Sequence, residues 1–415
     1  MLIHKIHTLE AKGAYMSTLA QHAISIPRSG IRDVFDRVEQ MPEAISLCLG
    51  EPGETASPHI VEAACSSLKA GKTKYTDVLG IPEFRKAAAA YTKRIKGLTY
   101  NPDTEIQAVD GATVGLYLAT KALIDPGDEV IIPSPFFTSY EAGVLMCDAT
   151  PVTVALKPEH GMRINAEDIL KAVTPKTKAV ILNSPGNPTG AVTTMEELKE
   201  IAKVCIDNDL WVISDEVYHP FVFSNDPESD VSIETVAPSI ASIEGMKERT
   251  IVVESLSKTF AMTGWRIGYI LSTEDVIEQT SKIAEMIHSS INSTAQYGGV
   301  AALTGSLDHV KEMREEYRFK RNIVMEELAD CTAVKLIEPQ GAFYAFVDVR
   351  PTGLSSKEFS DRLLTEEKVA VVPGEAFGKE GSGFVRVSYA GKPEDIKEGV
   401  SRLRKFAMAA CAENK

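Results

Sequence analysis

The stretch Ser255-Leu-Ser-Lys258 follows directly on the β-branched run Thr250-Ile-Val-Val-Glu254, and Arg266 comes eight residues after the lysine. With Phe260-Ala-Met-Thr-Gly-Trp265 close behind, Lys258 stands near a wall of the fold, where an unpaired ammonium is disfavoured or gives up its proton. A lysine kept there has chemistry to do. The alternative is a surface lysine on the turn after a buried strand, and the rest of the chain has to decide between the two.

Other reactive residue types also sit just after apolar runs. Ala179-Val-Ile-Leu182 leads into Asn183-Ser-Pro-Gly-Asn-Pro-Thr-Gly190, and Leu210-Trp-Val-Ile-Ser214 into Asp215-Glu-Val-Tyr218. Asp110-Gly-Ala-Thr113 precedes the helix-like segment that begins at Val114. In parallel α/β sheets ligands collect at the carboxyl ends of strands. Convergence of these segments would put Lys258, Asp215, Tyr218, Asn187, Arg266 and Thr113 in one pocket.

The elements that must position them follow a regular order. Between about residues 55 and 290, amphipathic helix-like stretches such as 59–71 and 194–209 alternate with short β-branched strands starting at Glu129, Ala179, Leu210 and Thr250. Strands apolar on both faces and alternating with helices predict a parallel sheet covered on both sides, an α/β fold. Beyond residue 295 the chain carries a long charged helix over 310–330, hairpin-like strands from Gly341 and Phe384, and a final amphipathic helix. We read three parts: an N-terminal segment 1–54 joining a small domain, a large domain 55–295, and a C-terminal small α+β domain 296–415. Residues 1–15 read as an extension with no part in the fold.

Composition narrows the function. The 415 residues carry 44 basic and 58 acidic side chains, a net charge of -14, which is the wrong sign for a phosphate backbone and argues against nucleic acid as a partner. Six cysteines without a Cys-x-x-Cys pair fit reduced thiols in a cytoplasmic protein, and the eight histidines show no metal-ligand spacing, so no metal is expected. No apolar run reaches the length of a membrane span, and the start of the chain is too polar for a secretory signal.

Taken together, these segments resemble the class I pyridoxal-phosphate aminotransferases of fold type I, close to the aspartate and aromatic aminotransferase branch. The resemblance runs in order through Ser29-Gly-Ile-Arg32, Leu49-Gly-Glu-Pro52, Lys74-Tyr-Thr-Asp77, Ser184-Pro-Gly-Asn-Pro-Thr-Gly190, Ser214-Asp-Glu-Val-Tyr218, the lysine segment, Gly341-Ala-Phe-Tyr-Ala-Phe346, Val372-Pro-Gly-Glu-Ala-Phe-Gly378 and Arg386-Val-Ser-Tyr-Ala390. It implies a large domain with a mostly parallel seven-stranded sheet sandwiched by helices, plus a smaller α+β domain. The implied cofactor is pyridoxal 5′-phosphate. The implied activity moves the amino group of an L-α-amino acid (aspartate, aromatic or alanine-like) to a 2-oxo acid, 2-oxoglutarate foremost, in ping-pong fashion.

The same resemblance implies roles. Lys258 matches the amine that joins the pyridoxal aldehyde and then moves a proton; a primary amine is the side chain that can form that imine. Asp215 matches the carboxylate that keeps the ring nitrogen protonated, and Tyr218 and Asn187 the groups on the ring oxygen. Arg266, Ser255, Ala112 and Thr113, with Ser257 beside them, match the phosphate donors. Phe137 matches the aromatic stacked on the ring, and Tyr75 a tyrosine that reaches the neighbouring subunit's phosphate, which implies a homodimer with shared sites. Arg386 matches the fork that clamps the substrate α-carboxylate, with Gly50 beside it.

Each assignment has a plainer reading. Asp215 could satisfy amides after its strand, Arg386 could be a structural ion pair, Phe137 could be core, and the Pro-Gly-Asn-Pro turn could simply enter a helix whose Thr194-Met-Glu-Glu197 reads as a capping box. Unrelated turns would not reproduce this order and spacing together. The chain also departs from dicarboxylate-specific members, which carry a lysine where Asp110-Gly-Ala-Thr113-Val has Thr113; Arg28 and Arg32 are the candidates to replace that cation. Lyases acting on sulfur amino acids share the scaffold. A ligand-sensing regulator would need an added DNA-binding module, for which the N-terminal residues are too few and too little basic.

Overall fold

Alternate residues of the apolar runs pack on opposite sides of one sheet, which is why those runs are apolar throughout. Ile131, Val180 and Val212 belong to one core with Leu198 and Ile201, whereas their neighbours Ile132, Ile181 and Ile213 belong to another with Leu116 and Leu118. The computed structural model describes residues 19–26, 30–223 and 235–413, so Arg28 and residues 1–15 lie outside the described residues.

Among the described residues, thirteen strands follow in chain order: β1 (Ile45–Ser46), β2 (Ile106–Val109), β3 (Glu129–Ser134), β4 (Thr150–Ala155), β5 (Thr177–Asn183), β6 (Trp211–Asp215), β7 (Thr250–Ser255), β8 (Gly268–Leu271), β9 (Lys335–Ile337), β10 (Tyr344–Asp348), β11 (Val369–Ala370), β12 (Val372–Pro373) and β13 (Phe384–Ser388). The seven-stranded sheet has the order β2-β8-β7-β6-β5-β3-β4. Only β8 runs against its neighbours. With helices on both faces this is the α/β architecture of fold type I. The strands β2, β4 and β8 were not singled out by the sequence pattern; β4 is a half-exposed edge strand rich in Thr and Val rather than an apolar run.

The register brings the reactive segments to one edge. Asn183 pairs with Asp215 and Asp215 with Val253, so β5, β6 and β7 end together. Because β8 is reversed, its start lies at that same edge, with Gly268 opposite both Ser255 and Val109. Arg266 therefore arrives just before β8, and Asp110–Thr113 just after β2. The approach is close: a Cβ on Gly268 would lie 2.5 Å from the Glu254 carbonyl oxygen.

A second, four-stranded antiparallel sheet has the order β12-β13-β10-β9, and β1 pairs in parallel with β11. Leu47, from the N-terminal segment, packs in the same core as Tyr344, Val385 and Phe406. The strand expected from Gly341 begins at Tyr344, because Gly341 is held against the Phe221 carbonyl, 2.6 Å from where its Cβ would stand. The helix Ser293–Thr304 packs on Pro58–Lys69 and Pro82–Lys96. Among the described residues, no helix is long and apolar enough to cross a membrane.

Candidate active site

Asp215 closes β6 at 4% exposure. Tyr140 Oη donates to its Oδ2 at 2.7 Å, and the Val217 N–H to its Oδ1 at 3.3 Å. Burial pushes the carboxyl up from 3.8 to about 6; the two hydrogen bonds oppose the rise, and the carboxylates Glu254 and Glu216 add to it. The site thus holds a carboxylate that is short of a cationic partner.

Lys258 lies in the single helical turn Leu256–Thr259, started by Ser255, whose Oγ accepts from the Ser257 N–H at 3.1 Å. Its Nζ donates to the Gly50 carbonyl at 2.5 Å. Burial lowers the ammonium from 10.5 to about 8; Glu51 opposes this, and Arg266 and Arg386 reinforce it. A primary amine in this state is partly deprotonated under mildly alkaline conditions and so nucleophilic.

Tyr218 Oη lies 3.0 Å from Tyr344 Oη. Arg386, on β13 in the other sheet, donates from Nη1 to Asn187 Oδ1 at 3.0 Å and from Nη2 to the Cys48 carbonyl at 2.8 Å. Asn187 is in turn held by Asn183, whose Oδ1 accepts its N–H at 2.9 Å. The guanidinium lies over the rings of Tyr344 and Phe377, 4.5 and 4.9 Å from their centroids. Its Nε is buried without a hydrogen-bond partner. A rigid, orphaned guanidinium donor at a cavity wall suits a carboxylate ligand.

Arg266 takes the left-handed backbone conformation at φ 51°, and its Nη1 donates to the Thr263 carbonyl at 2.9 Å. The guanidinium rests against Gly111, where a Cβ would come within 2.4 Å of Nη2. Gly111, at φ +76°, starts the helix Ala112–Leu123. The first turn of that helix leaves backbone N–H groups without helical acceptors, and these, with Arg266 and the Ser255 and Ser257 hydroxyls, make a group of donors of the kind that suits an anion.

These groups line one cavity of about 370 Å³, together with Gly50, Ala112, Thr113 and Phe137. A compound carrying a phosphate, an aldehyde and a protonated ring nitrogen would find there this donor group, the Lys258 amine and the Asp215 carboxylate. Of the residues singled out in the sequence, Tyr75 stands apart: it is 87% exposed and lies beside Asn292 in a separate surface depression. Arg32 is also outside the cavity, on the surface, where it pairs with Asp36 at 3.1 Å. No Lys or Arg other than Lys258, Arg266 and Arg386 lines the cavity among the described residues.

Sequence reasoning missed Tyr140, Tyr344 and Glu51. Tyr140 is three residues beyond Phe137, its N–H donates to the Phe137 carbonyl at 3.0 Å, and the two rings meet edge to face at 5.8 Å. Tyr344 lies within the Gly341–Phe346 motif and carries no charge to mark it. Glu51 follows Gly50 and accepts from Thr263 Oγ1 at 2.7 Å.

Asp215 makes a stability prediction whose sign follows from its raised pKa. The folded-state value of about 6 exceeds the unfolded 3.8, so stability is fully present below 3.8 and is lost as pH rises through 6. Above that the ionised carboxylate costs the ligand-free protein on the order of 3 kcal/mol. Asp215→Asn should therefore raise the melting temperature of ligand-free protein at about pH 8 and have little effect at about pH 4. An equal shift at both pH values would refute this.

The family description "Aminotransferase class I and II" matches residues 42–403. An aspartate aminotransferase of Pyrococcus abyssi is 42% identical over 380 residues, covering 91% of this chain and 95% of its own. An aromatic-amino-acid aminotransferase 2 of Thermococcus litoralis is 40% identical over the same shares. The crystal structure of an aromatic aminotransferase from Pyrococcus horikoshii superposes with a TM-score of 0.84 at 40% identity, covering 91% of this chain and 99% of that one. A lysine, an aspartate and two arginines converging on one cavity of such a scaffold agree with these likenesses, and the chain belongs to the class I and II aminotransferases.

Proposed function

We propose that this aminotransferase uses pyridoxal 5′-phosphate and accepts a broad set of L-α-amino acids, neutral and aromatic ones included, with 2-oxoglutarate as amino acceptor. The observation that carries this reading is the joint lining of one cavity by the Lys258 amine, the buried Asp215 carboxylate and the Arg266 donor group, with the orphaned Arg386 Nε alongside. When bound, pyridoxal phosphate supplies an aldehyde that takes up the amino group and a ring that draws electrons from the substrate Cα.

The protein's own groups do the rest. Lys258 Nζ, with its proton held loosely, carries a proton to and from Cα. Asp215, fixed by Tyr140, holds negative charge against the ring nitrogen. Tyr218 and Asn187 serve the ring oxygen, and Phe137 covers a ring face. Arg266, Ser255, Ser257 and the backbone of Ala112 and Thr113 hold the phosphate. Arg386 takes the substrate α-carboxylate by its fork, beside Asn187 and Gly50. The exposed Tyr75 serves a neighbouring subunit in a homodimer. The six free cysteines support a place in the cytoplasm.

Substrate breadth rests on what lines the rest of the cavity. Ile31, Phe35 and Leu49 are apolar, Thr113 brings no charge, and Glu51 brings a negative one. Among the described residues, a distal carboxylate thus meets no spare cation in the cavity lining. The test mixes purified holoenzyme with each amino acid and follows the absorbance of the bound cofactor. Phenylalanine, tyrosine and alanine should react, with aspartate ahead by less than about a thousandfold in kcat/KM, near 4 kcal/mol. A larger preference for aspartate would point to a cation beyond those that line the cavity among the described residues, with Arg28 or a neighbouring subunit as its source. Thiol release from cystathionine without transfer would favour a lyase.

A further inference from the structure

Behind the cavity, on the far side of the β6 and β7 ends, lies a buried charge cluster that no step above uses. Lys96 ends the helix Pro82–Lys96, and its side chain is 2% exposed. Its Nζ donates to Glu216 Oε2 at 2.6 Å and also to Glu254 Oε1. Glu216 is completed by the hydroxyls of Ser214 and Ser239, both donating to Oε1 at 2.7 Å. His219 Nδ1 lies 3.1 Å from Glu254 Oε2, and its Nε2 is 3.0 Å from Tyr91 Oη.

The cluster is joined to the site through the backbone. Glu216 directly follows Asp215, and Glu254 directly precedes Ser255. The Glu216 N–H also bonds the Val253 carbonyl at 3.0 Å, tying the two strand ends together. Side chains alternate along a strand, so Asp215 faces the cavity while Glu216 turns away from it to Lys96. Two buried carboxylates this close are costly unless a cation is shared between them.

We propose that Lys96 is a positioning residue for the cofactor carboxylate: it shares its one ammonium between Glu216 and Glu254 at the ends of β6 and β7 and offsets part of their negative charge, so that Asp215 stays ionised for the ring nitrogen. This rests on the pyridoxal phosphate reading given above. Burial works against the Lys96 charge, but the two carboxylates outweigh it and hold its pKa above the ordinary lysine value. The charged and titratable groups acting on Asp215 are Tyr140, Glu254 and Glu216, with Tyr218 and Lys258 across the cavity. Those around the cluster are His219, Tyr91 and Tyr269, with Arg94 against Tyr91 and Tyr100 beside Glu216.

The test dialyses holoenzyme over a series of pH values around 6 and measures retained pyridoxal phosphate, with thermal unfolding in parallel. Retention should fall as Asp215 takes up a proton. Lys96→Met leaves the two carboxylates uncompensated, and the fall should move to higher pH by about half a unit or more. Glu254→Gln removes one of them, and the fall should move to lower pH. The double variant should return near wild type. A structural role alone would lower both melting temperatures without opposite pH shifts, and shared wild-type midpoints would overturn the proposal. If Lys96→Met does not fold, the Glu254→Gln shift decides, its absence counting against us. A wild type that retains no pyridoxal phosphate at any pH would overturn the cofactor reading and this inference with it.

Discussion

Lys258→Ala should give a folded protein that still takes up pyridoxal phosphate but whose transamination is reduced by about a thousandfold or more. Folding should survive because the side chain contributes one hydrogen bond, to the Gly50 carbonyl, and alanine suits the turn Leu256–Thr259. Retention should survive because Arg266, the helix N-terminus and Asp215 remain. What is lost is an amine whose proton is held loosely enough to move, and no other lysine lines the cavity among the described residues. The measurement is turnover of the purified variant beside its cofactor content. Near-wild-type turnover would remove Lys258 from the proposed mechanism; loss of both cofactor and melting transition would mean that the residue is structural.

Arg386→Leu should lower kcat/KM for every amino donor by a similar factor, about thirtyfold to several thousandfold, or 2 to 5 kcal/mol. All α-amino acids present the same α-carboxylate, so a residue that reads it cannot discriminate among side chains. Part of the loss will come from the protein itself, since Asn187 Oδ1 and the Cys48 carbonyl lose their donors. Arg386→Lys separates the contributions. It keeps a charge over Tyr344 but cannot make the planar fork, and should fall between wild type and Leu. A loss confined to aspartate and glutamate would show that Arg386 reads the distal carboxylate instead.

The residues most legible in the sequence were those carried by backbone pattern. Asp215, Asn187 and Lys258 each follow a β-branched run, and parallel strands buried on both faces deliver whatever follows them to one edge. Arg266 was legible by its segment, though not for the reason that brings it there, because Gly268–Leu271 does not read as a strand running the other way. Tyr140 and Tyr344 were illegible since an uncharged ring in an apolar segment looks like core until its hydroxyl is seen to bond Asp215 or Tyr218. Lys96 was hidden for the opposite reason: a lysine in the last turn of an amphipathic helix reads as solvated, and only the packing of Pro82–Lys96 against the strand ends turns it inward. Tyr75 lies away from the cavity within one chain, so the role proposed for it depends on a neighbour.

The reversed strand β8 has a consequence for how such a chain can vary. Residues 256–267 form a loop clamped at its base by the pairing of Ser255 with Gly268 and by the Leu256 N–H bond to the Ile267 carbonyl. The separation between the Lys258 amine and the Arg266 guanidinium is therefore set by a span of chain anchored at both ends in the sheet. Replacements inside the loop change its lining, whereas one residue added or removed between Lys258 and Arg266 would shift the amine relative to the guanidinium while β8, paired on both sides, keeps its register. Length is thus a constrained quantity of this segment along with its cavity-lining residues Ser257, Lys258, Thr263 and Arg266, and the remaining positions are freer to vary.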